Sequence, residues 1–242
     1  MFEQANPYAV GNAAAITASE NERATFIRRT YTHLSGAVMA LVALEVVLFN
    51  VVPADTMWKL VSTMTAGYGW LIVLALFMGV SWIARGWATS NTSKPVQYAG
   101  LALYVAAEAV ILLPLLYVAI QFGGAQLPLT AAIITSVCFM ALTVFVFATR
   151  VDLIGWGKYL AVAGFAAMGL IVASIFVDFN LGVLFTGAMI ALMCGYILYD
   201  TSNVLHHYRT DQYVAASLAL FSSVVMLFWY VLRLMIALSG RE

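Results

Sequence analysis

Residues 181–203 read LGVLFTGAMIALMCGYILYDTSN, an apolar run that ends on a carboxylate, Asp200. A helix needs about 20 mostly apolar residues to cross the hydrocarbon core of a bilayer, and this stretch supplies them. An ionisable side chain in that setting is costly and faces a bundle interior or a watery path. The stretch therefore sets both the solvent, which is lipid, and the question of what Asp200 does there.

The rest of the chain agrees. Of 242 residues, 64% are hydrophobic and 9% charged, with a mean hydropathy of +0.95, where a soluble domain carries roughly 25% charged residues. Seven segments have spanning length and composition: 31–52, 66–84, 96–120, 129–149, 158–177, 181–201 and 214–238. The expected fold is an all-α integral membrane protein of seven transmembrane helices. Residues 1–22 are polar and small, without the basic start and short apolar core of a cleaved signal, and are expected to form a flexible cytoplasmic tail. Residues 23–242 form the seven-helix domain. The connectors are short and leave no room for a second domain.

Basic residues give the orientation, because Lys and Arg gather in short cytoplasmic loops. Arg23, Arg28, Arg29, Arg85, Lys94, Arg150, Lys158 and Arg209 fall on one side, and Lys59 and Arg241 on the other. The N-terminus is expected in the cytoplasm. With seven full spans the C-terminus lies outside; a hairpin in place of the last span would return it.

Formal net charge is +0, which leaves no basic field for nucleic acid. Cys138 and Cys194 lie inside apolar runs and read as packing residues. His206 and His207 are adjacent and diverge on a helix, and HExxH, CxxC and GxSxG motifs are missing, so neither a metal site nor an enzyme is expected. The last segment holds neither a second aspartate for an aspartyl protease nor a lysine for a retinal Schiff base. No cofactor is expected. Small residues in GFAAMGLIVAS and LGVLFTGAMIALMCG suit close helix packing.

Four acids touch the apolar segments. Asp178 closes the fifth and reads as interfacial. Glu45 and Glu108 lie deeper, each either a buried hydrogen-bonded carboxyl or a pathway residue. Asp200 sits near the cytoplasmic edge, and Tyr196, Asp200, Asn203 and His207 fall on one helical face. Arg85, at the end of the second segment, is at similar depth, so a salt bridge to Asp200 is geometrically allowed and would favour its charged form.

The segments GYILYDTSNVLHHYRTDQYVAASLALF (195–221) and TRVDLIGWGKYL (149–160) resemble the transmembrane Bax-inhibitor-motif family, especially its bacterial branch. The resemblance extends over about residues 24–240. It implies a bundle with the last helix central and a pH-sensitive calcium leak in which a sixth-helix aspartate pairs with a seventh-helix aspartate. An arginine ending the second helix locks the closed state. Asp200 matches the first acid and Arg85 the arginine. Aligning MLFWYVLRLM with the family's usual ending puts Ser223 at the second acid and Met226 where an asparagine is common. Asp200 is thus expected to be the ionisable element of a gate held by Arg85, calcium being the transported ion. The lipid bilayer is the surrounding partner, in a bacterial cytoplasmic (inner) membrane. The alternative is a non-transporting regulator that binds other membrane proteins, such as a membrane-anchored ATP-dependent protease, through the N-terminal tail.

Overall fold

The computed structural model describes residues 14–89, 93–177 and 179–240. Among them the elements run α1 (Glu20–Val51), α2 (Ala54–Thr65), α3 (Gly69–Ala88), α4 (Lys94–Gly123), α5 (Gln126–Thr149), a 3-10 turn (Ile154–Trp156), α6 (Gly157–Val177), α7 (Gly182–His206) and α8 (Tyr213–Ser239). Seven of the eight helices are long and apolar enough to cross a membrane. The exception, α2, has 12 residues and reaches only about 18 Å.

That short helix replaces an expected turn. Its apolar residues form one stripe, with Met57, Val61 and Met64 buried. Met57 and Val61 pack with Leu113, Leu48, Phe49 and Tyr117, while Trp58 and Leu60 remain exposed. A sequence search for spanning runs passes over such a helix because it is too short to cross the bilayer.

The other departure is at the N-terminus. Residues 1–13 lie outside the described part, but Ala14 forms a bridge with Arg209, and the Ala15 amide donates to the Tyr208 carbonyl at 2.9 Å. Ala15 is fully buried. The first helix begins at Glu20, where Ser19 and Glu22 form a reciprocal capping box that satisfies two otherwise orphaned amides. Residues 14–22, expected in a flexible tail, are therefore anchored in this structure.

Helix α8 is the axis of the bundle. It packs against α1, α3, α4, α5 and α7, and its buried side chains continue from Tyr213 to Leu232. It runs unbroken for 27 residues, about 40 Å, so the seventh segment is a full span and not a hairpin. Arg233, in its second half, joins Lys59 at the far end of the bundle. In contrast, α6 packs chiefly on α7 and presents Val162 and Phe165 outward. In lipid such exposed apolar surface is solvated.

Small residues set the closest helix contacts. A Cβ on Gly100 of α4 would lie 2.5 Å from the Ala84 carbonyl oxygen and 2.7 Å from the Ala88 amide nitrogen. Only glycine lets α3 come this near, and Arg85 is carried on the same turn. On α6, Gly157 and Gly164 admit the phenols of Tyr199 and Tyr196. Cys138 and Cys194 meet across α5 and α7 with sulfurs 3.7 Å apart and are not bonded.

Candidate functional site

The site is built where α3, α4 and α7 converge on the middle of α8. Residues 222 and 223 of α8 are both serines, and successive helical residues point about 100° apart. Their hydroxyls consequently serve different neighbours. Ser223 Oγ donates to Asp200 Oδ2 on α7 at 2.5 Å. Ser222 Oγ accepts from Arg85 Nη2 on α3 at 2.7 Å and from the Tyr104 hydroxyl on α4 at 2.9 Å. Two donors occupy both lone pairs of the Ser222 oxygen. The Arg85 guanidinium also stands over the Tyr104 ring, 5.4 Å from its centroid, a cation–π arrangement.

Arg85 and Asp200 do not touch. The ion pairs among the described residues are His207–Asp152 and Arg209–Asp211, so the expected direct salt bridge is not formed in this structure. The physical reason is the face of α3 that Gly100 holds against α4. It directs the guanidinium to Tyr104 and Ser222, and Asp200 is served by the next hydroxyl along α8. The positive charge still acts on Asp200 through space. Arg85 and Asp200 are linked through adjacent serines.

Tyr104 is 2% exposed and Glu108, one turn deeper on α4, 1%. These two interact, which extends the polar cluster from Asp200 toward the middle of the bundle, although Glu108 Oε1 has no hydrogen-bond partner among the described residues. Glu45 is elsewhere, six residues from the far end of α1, with both carboxyl oxygens buried and unpartnered among the described residues. The hydrogen-bonded reading of Glu45 is thus not met. Asp178 lies outside the described residues.

The four polar residues expected on one face, three on α7 and His207 at its C-cap, disperse. Tyr196 donates to the Leu160 carbonyl at 2.9 Å, Asp200 turns to α8, and Asn203 Oδ1 is buried without a partner among the described residues. His207 Nε2 meets Asp152 Oδ1 at 2.9 Å in the α5–α6 connector. That hydrogen bond, with the Ile154 amide, holds the Asp152 carboxyl below the usual carboxylate range. Ser202 secures the same connector from inside, accepting from the Leu153 amide and donating to the Val151 carbonyl, both at 2.9 Å. Sequence reasoning missed Ser222, Tyr104 and Ser202. The serine doublet in an otherwise apolar helix was the available signal for the first, and the Tyr104 to Glu108 spacing of one turn for the second.

This arrangement defines a class: a seven-span helical membrane protein whose central last helix links a basic and an acidic side chain by hydroxyls. Comparison with known proteins supplies the family. The model described as "Inhibitor of apoptosis-promoting Bax1" matches residues 23–240, and the chain belongs to that Bax inhibitor-1 family. It is similar to Bax inhibitor 1 of Schizosaccharomyces pombe, 28% identical over 222 residues, covering 91% of this chain and 79% of the relative. Protein LIFEGUARD 3 of Arabidopsis thaliana is 27% identical, covering 88% and 84%. An uncharacterised protein of Neisseria meningitidis is 25% identical, covering 72% and 75%.

Proposed function

We propose that the protein is a pH-sensitive cation leak, with calcium as the transported ion, closed while Asp200 is charged. The reading rests on one observation: Ser223 holds the Asp200 carboxylate while its neighbour Ser222 holds Arg85. The carboxyl faces a hydroxyl donor on α8, and a guanidinium is held by the serine beside that donor. Protonation of Asp200 removes the charge that faces the Ser223 hydroxyl and weakens that hydrogen bond between α7 and α8. Falling pH therefore opens the path. Glu108 and Tyr104 are the next polar groups inward. Among the described residues no three His, Cys, Asp or Glu side chains converge.

The orientation we assign puts the N-terminus in the cytoplasm of a bacterium, with the protein in the inner membrane. Its support is the gathering of Arg23, Arg28, Arg29, Arg85, Lys94, Arg150, Lys158 and Arg209 at the bundle end where α1 begins, together with the likeness to the Neisseria protein.

The competing reading is a non-transporting regulator of a membrane protease or other membrane protein, engaged through the N-terminal residues. Deletion separates the two, and it must stop at residue 13 to spare the Ala15 contact and the α1 cap. Proteoliposomes of the shortened protein should retain calcium flux at the full chain's level. Flux absent from both forms at every pH would favour the regulator.

A further inference from the structure

Away from the serine site, the bundle end that bears the N-terminus holds a cavity of about 420 Å³ between the start of α1 and the ends of α5 and α7. Arg23, Arg150 and His206 line it together with the apolar Ile27, Phe147 and Leu205. Among the described residues neither guanidinium has a carboxylate within 4.0 Å. His206 Nδ1 lies 2.9 Å from the Ser202 carbonyl, which only accepts, so Nδ1 carries the hydrogen, and Nε2 has no hydrogen-bond partner among the described residues.

Arg150 also has an unusual backbone. It is the one non-glycine residue with positive φ among the described residues, at 51°, where it ends α5. Glycine or asparagine is the ordinary occupant of such a left-handed helix end. A strained arginine lining a cavity points to a use for its side chain.

We propose that this cavity seats the phosphodiester of an anionic phospholipid. Two guanidinium groups match phosphate oxygens in charge and in geometry. The apolar lining suits the glycerol and first methylenes of the same molecule, a combination that a free anion does not need. Basic pockets between membrane helices at the cytoplasmic face bind such headgroups. The bound lipid joins α1, α5 and α7 at the end of the bundle nearest Asp200, and it does so whether or not the protein conducts ions.

The full-length protein in phosphatidylcholine nanodiscs, with and without phosphatidylglycerol, provides the test, with native mass spectrometry counting the lipids retained. Phosphatidylglycerol should be retained in preference to phosphatidylcholine. The double variant Arg23→Gln, Arg150→Gln should lose that retention by at least about tenfold, the equivalent of one charge-assisted bond. Replacing both arginines with lysine should restore much of it, and Arg28→Gln, exposed on α1, should leave it intact. Equal retention by the double glutamine variant, a lysine variant as weak as the glutamine one, or full displacement by millimolar inorganic phosphate would each overturn the proposal.

Discussion

Ser222 and Ser223 sit side by side on α8 but point to different neighbours, one to Arg85 and the other to Asp200. Because Ser222 is the acceptor for Arg85, removing its hydroxyl should free the guanidinium as effectively as removing the arginine. Arg85→Ala and Ser222→Ala should each raise the calcium leak at neutral pH, and the double variant should leak no more than either single one. Such non-additivity marks groups acting as a unit, and additive leaks would deny the link. Ser223 offers a second test. Its contact with Asp200 means that Ser223→Asp would place two carboxylates face to face. Such a pair shares a proton and titrates in coupled steps, so the flux profile should shift toward neutral pH and spread over two transitions. An unchanged profile would contradict the facing geometry. Asp200 and Ser223 were accessible from motif register. Ser222 was passed over despite the doublet, because a serine in an apolar helix commonly satisfies itself on the carbonyl four residues back.

At the scale of the helices, the approach of α3 to α4 decides where Arg85 points. Gly100→Ala places a methyl group against backbone atoms that cannot swing aside. Overpacking of this kind costs typically 1–3 kcal/mol. The variant should melt at lower temperature and leak like Arg85→Ala, and a normal leak would show that the guanidinium does not depend on that contact. The α5–α6 connector gives a pH test independent of the membrane interior. Asp152 has a depressed pKa, caused first by the His207 hydrogen bond and then by the Ile154 amide. Its contribution to stability is complete above the ordinary carboxylate value of about 3.9 and disappears as pH falls through the lower folded value. Asp152→Asn should therefore narrow the gap between melting temperatures at pH 5 and pH 3, by a small amount because the carboxylate is exposed. An unaltered gap would remove Asp152 from that role. The seven spans were legible from apolar length alone. Helix α2 was not, since a one-sided stripe of Met57, Val61 and Met64 resembles a loop to any search for spanning runs.

The whole bundle places its most buried helix, α8, among five others, and its polar positions become the meeting points of the molecule. Centrality was legible only through family resemblance, since an apolar helix in lipid reads alike whether its neighbours are lipid tails or side chains. The similar depth of Arg85 and Asp200 was legible too, but depth does not specify a face, which is why direct contact was expected where each side chain meets its own serine of α8. The central claim is that the charge of Asp200 holds the bundle closed. Calcium flux into liposomes, measured across pH for the wild type beside Asp200→Asn and Glu45→Gln, tests it most directly. The wild type and Glu45→Gln should both rise along a single titration as pH falls, while Asp200→Asn should leak at every pH with little dependence on acidity. An Asp200→Asn protein that keeps the wild-type pH profile would contradict the claim.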